Sequence, residues 1–148
     1  MIKYDKVADL IRKHEGLKLL PYKCPTGHLT IGYGHNLENG ISIEMAETLL
    51  FEDIDNAVKD LEKIFPVFDG FPETWQNIFI NMMFNMGLNK FTEFKNMIEF
   101  AKIERWNLVI NEMKDSVWYR QVKNRANELI ALAKTIPKDE KKMDRQKT

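Results

Sequence analysis

Between residues 15 and 35 the chain carries five side chains whose types could do chemistry together: Glu15, Cys24, His28, Thr30 and His35. A carboxylic acid can protonate a leaving oxygen. A second group can then hold a water, activate it, or attack the substrate directly. That division of labour is what cleavage of a glycosidic bond requires. A thiol beside an imidazole could instead act as the nucleophile of a peptidase or amidase, with Cys24 served by His28 or His35. Taken singly, none of these residues is diagnostic. A lone Glu near a helix end is usually a surface charge, and a lone Cys in a strand is usually a small buried apolar residue.

The elements that must position them can be read from the pattern. Val7, Leu10, Ile11 and His14 recur at helical spacing, which predicts a helix over 3–15. Gly16 follows directly, and glycine favours the left-handed turn that ends a helix. Glu15 thus falls on the last turn, at the negative end of the helix dipole. That placement predicts a raised pKa. Leu29, Ile31 and Tyr33 alternate with Thr30 and Gly32 at the period of a strand. Pro25 and Gly27 bracket a turn, so Tyr22–Cys24 and Leu29–Tyr33 read as a small β-hairpin, with room for a third short strand. Gly32 and Gly34 leave the backbone bare there, as would suit close approach by a ligand.

Beyond the Asn39-Gly40 turn the pattern becomes helical. Ser42 can cap a long amphipathic helix running to about Phe65, with Ala46, Leu49, Leu50, Ile54, Ala57, Val58, Leu61 and Ile64 as its apolar stripe. Pro72 can open the next helix, which is apolar on nearly every side and stops at Gly87. Shorter amphipathic helices are expected around 92–103, 105–114, 116–121 and 124–136. The Met and Phe residues of 79–86 read as core, as do Trp106, Trp118 and Tyr119. The fold class is therefore α+β: a small lobe at about 14–42, a connecting helix at 43–65, and a larger helical lobe at 66–136 on which residues 1–13 pack. Residues 137–148 are expected to form a disordered charged tail. A cleft between two lobes would be the natural place for a ligand. There is no internal repeat.

Composition narrows the function classes. The chain has 148 residues, 44% of them apolar, enough for one domain with a sizeable interior. The net charge is zero, yet residues 1–74 hold eight Lys/Arg against thirteen Asp/Glu, and the remainder fourteen against nine. A basic second half can attract a polyanion, although a solvated surface with a basic tail is the simpler reading. Cys24 is the sole cysteine, so no intramolecular disulfide forms, as suits a protein that matures in a reducing cytoplasm. The charged start lacks a signal core and no stretch approaches a membrane span, which predicts a soluble chain without an export signal of its own. With no metal-ligand cluster and no phosphate-binding glycine loop, neither metal nor organic cofactor is expected.

Spacing makes these residues more specific than their types alone. Glu15, eight residues, Cys24, five residues, Thr30 resembles the catalytic signature of the phage lysozyme family, glycoside hydrolase family 24. The segment HEGLKLLPYKCPTGHLTIGYGH resembles its Gly-rich hairpin ending in Gly-His. NMMFNMG at 81–87 and RWNLVINEMKDSVWYRQVKNRA at 105–126 are similar to further family segments, so the likeness spans about residues 4–135. The resemblance implies hydrolysis of the β-1,4 bond between N-acetylmuramic acid and N-acetylglucosamine in peptidoglycan, with inversion. Glu15 then matches the general acid, Cys24 the group that holds or activates the water, and Thr30 the hydroxyl that places it. Arg125 matches an arginine that reaches the catalytic Glu. Asn81, Asn85 and Tyr33 match substrate-binding positions, and His35 a structural partner of Asp53. The resemblance further implies a monomeric endolysin, made in a bacterial cytoplasm and reaching the wall after holin-dependent release, with no nucleic-acid partner and no membrane insertion. A non-catalytic protein that had kept the fold would have no need of Glu15 and Thr30.

Overall fold

The computed structural model describes residues 1–136; the stretch 137–148, expected as a charged tail, lies outside the described residues. Seven α-helices and a small antiparallel sheet make up the described chain, an α+β arrangement with the sheet near the N-terminus. The chain divides into two units, Met1–Leu49 and a second that begins at Leu50, so the division falls inside the long helix.

In the first unit, α1 spans Asp5–Glu15 and stops at Gly16, whose φ of 69° is the left-handed backbone that glycine adopts without strain. Its amide donates to the Arg12 carbonyl and closes the last turn. None of the α1 residues is buried; Val7, Leu10 and Ile11 are about half exposed. Three strands follow, β1 (Lys18–Lys23), β2 (Leu29–Gly32) and β3 (His35–Asn36), in the spatial order β1-β2-β3. The hairpin therefore does carry a third strand. Strand β1 starts earlier than the sequence suggested, running through Pro21. Proline lacks the amide a central strand would need, and β1 is an edge, where that loss is tolerated. Thr30 on the middle strand pairs with Tyr22 on one side and Asn36 on the other. It is the one buried polar residue among the described residues.

Helix α2 spans Ile43–Ile64. Ser42 caps it as expected, its hydroxyl accepting from the Met45 amide at 3.1 Å. Only the C-terminal half of the stripe is covered: Ala57 and Leu61 are buried, whereas Leu49 and Leu50 remain exposed. Helix α3 runs Glu73–Thr92 with Pro72 at its cap, and Gly87, at φ 80° and ψ 169°, breaks it into two helical stretches. The expected stop at Gly87 is thus a kink, after which the helix resumes for five residues. Helices α4 (Lys95–Lys102), α5 (Trp106–Lys114), α6 (Val117–Gln121) and α7 (Lys123–Lys134) complete the second unit.

The core of that unit is aromatic. The Phe79 ring is fully buried and lies 5.4 Å from Phe65, 5.5 Å from Trp75 and 5.8 Å from Phe91. Trp75 stacks on Trp106 at 4.7 Å. Such pairs add about 0.5–1.5 kcal/mol each beyond the area they bury. Met82, Met83 and Trp118 are buried as the sequence predicts, and Trp106 and Tyr119 pack against the core partly covered. Phe84 departs from the expectation. It stands 45% exposed, because an apolar helix that is half covered must turn some of its side chains outward.

Candidate active site

The hairpin loop is built around one carbonyl oxygen. The Cys24 amide donates to the His28 carbonyl at 2.9 Å, and the Gly27 amide donates to the Cys24 carbonyl at 2.8 Å. Cys24 therefore lies just past β1, in the mouth of the loop and not within a strand. The Thr30 hydroxyl also donates to the His28 carbonyl, at 2.8 Å. Cys24 and Thr30, six positions apart, are thus tied to the same acceptor. Since the Thr30 hydrogen is committed, its oxygen can offer only lone pairs to anything else.

The Cys24 sulfur is partly exposed and lies 3.1 Å from the Thr26 hydroxyl. That hydroxyl is the main reason its pKa falls from 9.0 to about 7; the amides of His28 and Thr26 add to the effect, while desolvation opposes it. A thiol so placed is substantially ionised at neutral pH. The His28 imidazole, which the sequence offered as a partner of Cys24, holds its Nδ1 2.8 Å from the Glu38 carboxylate.

Glu38 reaches the loop from a single 3-10 turn, Leu37–Asn39, which follows β3. Asn36 caps that turn, its side chain accepting from the Glu38 amide at 2.9 Å. The second Glu38 oxygen accepts from the Leu29 amide at 3.3 Å. Glu38 thus straps both the side chain of His28 and the start of β2. Sequence reasoning missed it, although Asn36-x-Glu38 carries the signal of an Asn-capped turn. His35 points its Nε2 at the Gly40 carbonyl, 3.1 Å away, and so closes the same turn from the other end.

Glu15 sits at the exposed end of α1 against Gly34. A β-carbon on Gly34 would lie 2.7 Å from the Glu15 carboxylate oxygen, and Gly34 has φ +72°. The bare backbone at Gly34 is therefore occupied by the chain's own acid. Gly32, by contrast, has open space around it. Tyr33 is 44% exposed, with the Arg12 guanidinium 6.0 Å from its ring centre.

Glu15, Cys24, Thr30 and Tyr33 belong to the first unit; Asn81, Asn85 and Arg125 belong to the second. Asn81 and Asn85 are exposed on α3. The Asn85 side chain accepts from the Trp118 indole at 2.9 Å and lines a cavity of about 630 Å³ with Lys90, Glu93, Glu112 and Gln121. Arg125 is exposed on the first turn of α7, beside a shallow depression that also contains Gln121 and Lys123. Asp53 lines a separate groove of about 430 Å³ between α2 and α3.

The His28–Glu38 pair titrates. The His28 pKa is raised, first by its hydrogen bond to Glu38 and then by the carboxylate charge; Glu38 is lowered, first by the same bond and then by the Leu29 amide. A raised imidazole stabilises the fold below its ordinary value of 6.5, and that contribution is lost as pH rises through its folded value. A lowered carboxylate stabilises the fold above its ordinary value of 4.5, and that contribution is lost as pH falls through its folded value. The strap is therefore strongest between these two ordinary values. Replacing Glu38 by Gln should lower the His28 titration midpoint toward 6.5, followed by NMR of the imidazole protons. An unchanged midpoint would show that the pair does not form in solution.

The chain is similar to proteins whose names bear on this site. It is 28% identical to probable T4-type lysozyme 1 of Dictyostelium discoideum over 87% of this chain and 94% of that protein. It is 34% identical to the endolysin of Acyrthosiphon pisum secondary endosymbiont phage 1, over 60% of this chain and 62% of that one. It is also 26% identical to the pre-baseplate central spike protein of Enterobacteria phage T4, matching 87% of this chain and 28% of that longer protein. The phage lysozyme family profile matches residues 12–133, which takes in Glu15, the whole sheet and α2 to α6. The chain therefore belongs to the phage lysozyme family, a family of peptidoglycan-lytic enzymes.

Proposed function

We propose that this lysozyme hydrolyses the β-1,4 bond between N-acetylmuramic acid and N-acetylglucosamine by direct attack of water, as an endolysin of glycoside hydrolase family 24. The observation that carries this reading is the shared tether of Cys24 and Thr30 on the His28 carbonyl. A water seated there would donate one hydrogen to the Thr30 oxygen, whose own hydrogen is committed. It would donate the other to the Cys24 thiolate. Its lone pair then points outward, toward an anomeric carbon. As the water attacks, its proton passes to sulfur while Glu15 protonates the departing glycosidic oxygen. Proton count and charge balance: Glu15 leaves as a carboxylate and Cys24 as a thiol.

The described side-chain partner of the Cys24 sulfur is the Thr26 hydroxyl and neither imidazole, which supports this reading over a cysteine peptidase. Family resemblance supports a sugar-binding role for Tyr33, Asn81 and Asn85 and a role beside the acid for Arg125. Release to the wall through a holin, and action as a monomer, rest on the same resemblance.

Turbidity clearance of permeabilised Gram-negative cells, together with release of reducing sugar, tests the assignment. Glu15→Gln should lose at least about 100-fold in rate, the scale of positioned acid catalysis. Cys24→Asp should keep activity within about tenfold, because a carboxylate can accept the same proton. A general base works only when deprotonated, so the wild-type rate should climb as pH rises through about 7. In Cys24→Asp that limb should move into the carboxylate range, near ~4. Full activity in Glu15→Gln, or a limb that Cys24→Asp does not move, would refute the assignment.

Gly34→Ala probes the seat of the acid. Its new methyl would meet the Glu15 carboxylate in a backbone conformation that L-residues avoid. The lytic rate should fall roughly 10- to 100-fold through misplacement of the acid. Tryptophan-monitored unfolding should stay as in wild type, since all three tryptophans lie in the second unit. An unaltered lytic rate would show that Gly34 does not set the position of Glu15.

A further inference from the structure

We propose that Thr26 is a positioning residue for Cys24: its hydroxyl donates to the sulfur and so frees the Thr30 oxygen to face the water. The proposal rests on the reading of Cys24 as the water-activating group.

Beside the backbone amides of His28 and Thr26, the sulfur has hydroxyl groups as its donors. Thr30 spends its only hydroxyl hydrogen on the His28 carbonyl at 2.8 Å. The described hydroxyl that remains free to donate is that of Thr26, 3.1 Å from Sγ. Its geometry is fixed from several sides. Pro25 sets one backbone dihedral between the two residues. The Gly27 amide closes the turn on the Cys24 carbonyl, and the Cys24 amide closes the loop on the His28 carbonyl. Thr26 is β-branched, which limits its χ1 rotamers and lowers the entropy lost in making the contact. A thiolate that accepts from Thr26 is held in one rotamer, and its remaining lone pairs are left for the water.

A carboxylate at position 24 would have two oxygens with which to accept both an anchoring donor and a water. A thiolate has one sulfur, so an anchor two residues away performs what the second carboxylate oxygen would otherwise do. The thiolate charge in turn adds to the raised pKa of the His28 ring, which Glu38 holds. The lowered Cys24 pKa, with the Thr26 hydroxyl as its largest cause, agrees with this geometry.

The test uses the full-length chain, in which Cys24 is the only cysteine, so ultraviolet thiolate absorbance reports on it alone. Wild type, Thr26→Val and Thr26→Ser are titrated, and their pH–rate profiles for wall lysis are recorded. Thr26→Val keeps the shape of the side chain and removes the donor. Its thiol midpoint should rise from about 7 toward the ordinary thiol value, by about one pH unit or more, and the rising limb of the rate should move with it. Thr26→Ser restores the donor and should titrate within a few tenths of wild type. A Thr26→Val midpoint equal to that of wild type, or a Thr26→Ser midpoint shifted as far as that of Thr26→Val, overturns the proposal. If the thiol midpoint moves but the rate limb does not, Cys24 is not the base, and it is the underlying reading of the mechanism that fails.

Discussion

Two hydrogen bonds converge on the carbonyl oxygen of His28, one from the Cys24 amide and one from the Thr30 hydroxyl. Their convergence decides what the rest of the loop can do. It brings two residues six positions apart onto one anchor and fixes the direction of the Thr30 hydrogen. It also leaves Thr30 only its oxygen lone pairs to offer to any other group. Because Thr30 lies on the middle strand and is buried, the anchor inherits the rigidity of the sheet. Around it, the Glu38 strap holds His28 and the start of β2 from the far side.

The acid is positioned by a separate device. Glu15 is the last residue of α1, and Gly16 ends the helix there by taking a left-handed conformation. Gly34 then gives the carboxylate room that any side chain would fill. The Glu15 carboxyl group thus depends on two glycines, while Cys24 and Thr30 depend on a turn and one carbonyl. These supports share the first unit but no residue, so substitutions at Gly34 and at Thr26 act on different halves of the proposed chemistry. The aromatic core of the second unit, centred on Phe79, lies outside both supports.

Much of this was legible in the sequence because it was local. Gly16 after an amphipathic run marked the end of α1, and Pro25 and Gly27 marked the turn. Ser42 marked the start of α2. What the sequence hid depends on contacts made through a turn of unremarkable composition. Glu38 meets His28 across ten residues, by way of a 3-10 turn too short to show any hydrophobic period. Pro21 disguised the first half of β1, since its suitability depends on β1 being an edge. Thr26 read as an ordinary turn residue, because nothing in a Cys-Pro-Thr string says where a hydroxyl will point. The open backbone at Gly34 read as a place for a ligand, whereas it seats the enzyme's own carboxyl group.

The stereochemistry of the first product separates the two possible roles of Cys24. Direct attack by a water held between Cys24 and Thr30 must invert the anomeric carbon, whereas attack by the Cys24 sulfur followed by hydrolysis must retain it. Proton NMR of peptidoglycan fragments in the first minutes of digestion, before the anomers equilibrate, separates the two. With water as the attacking group, the new reducing end should appear first as the α-anomer. A β-anomer formed first would contradict direct water attack and would assign the Cys24 thiolate to the bond-forming step.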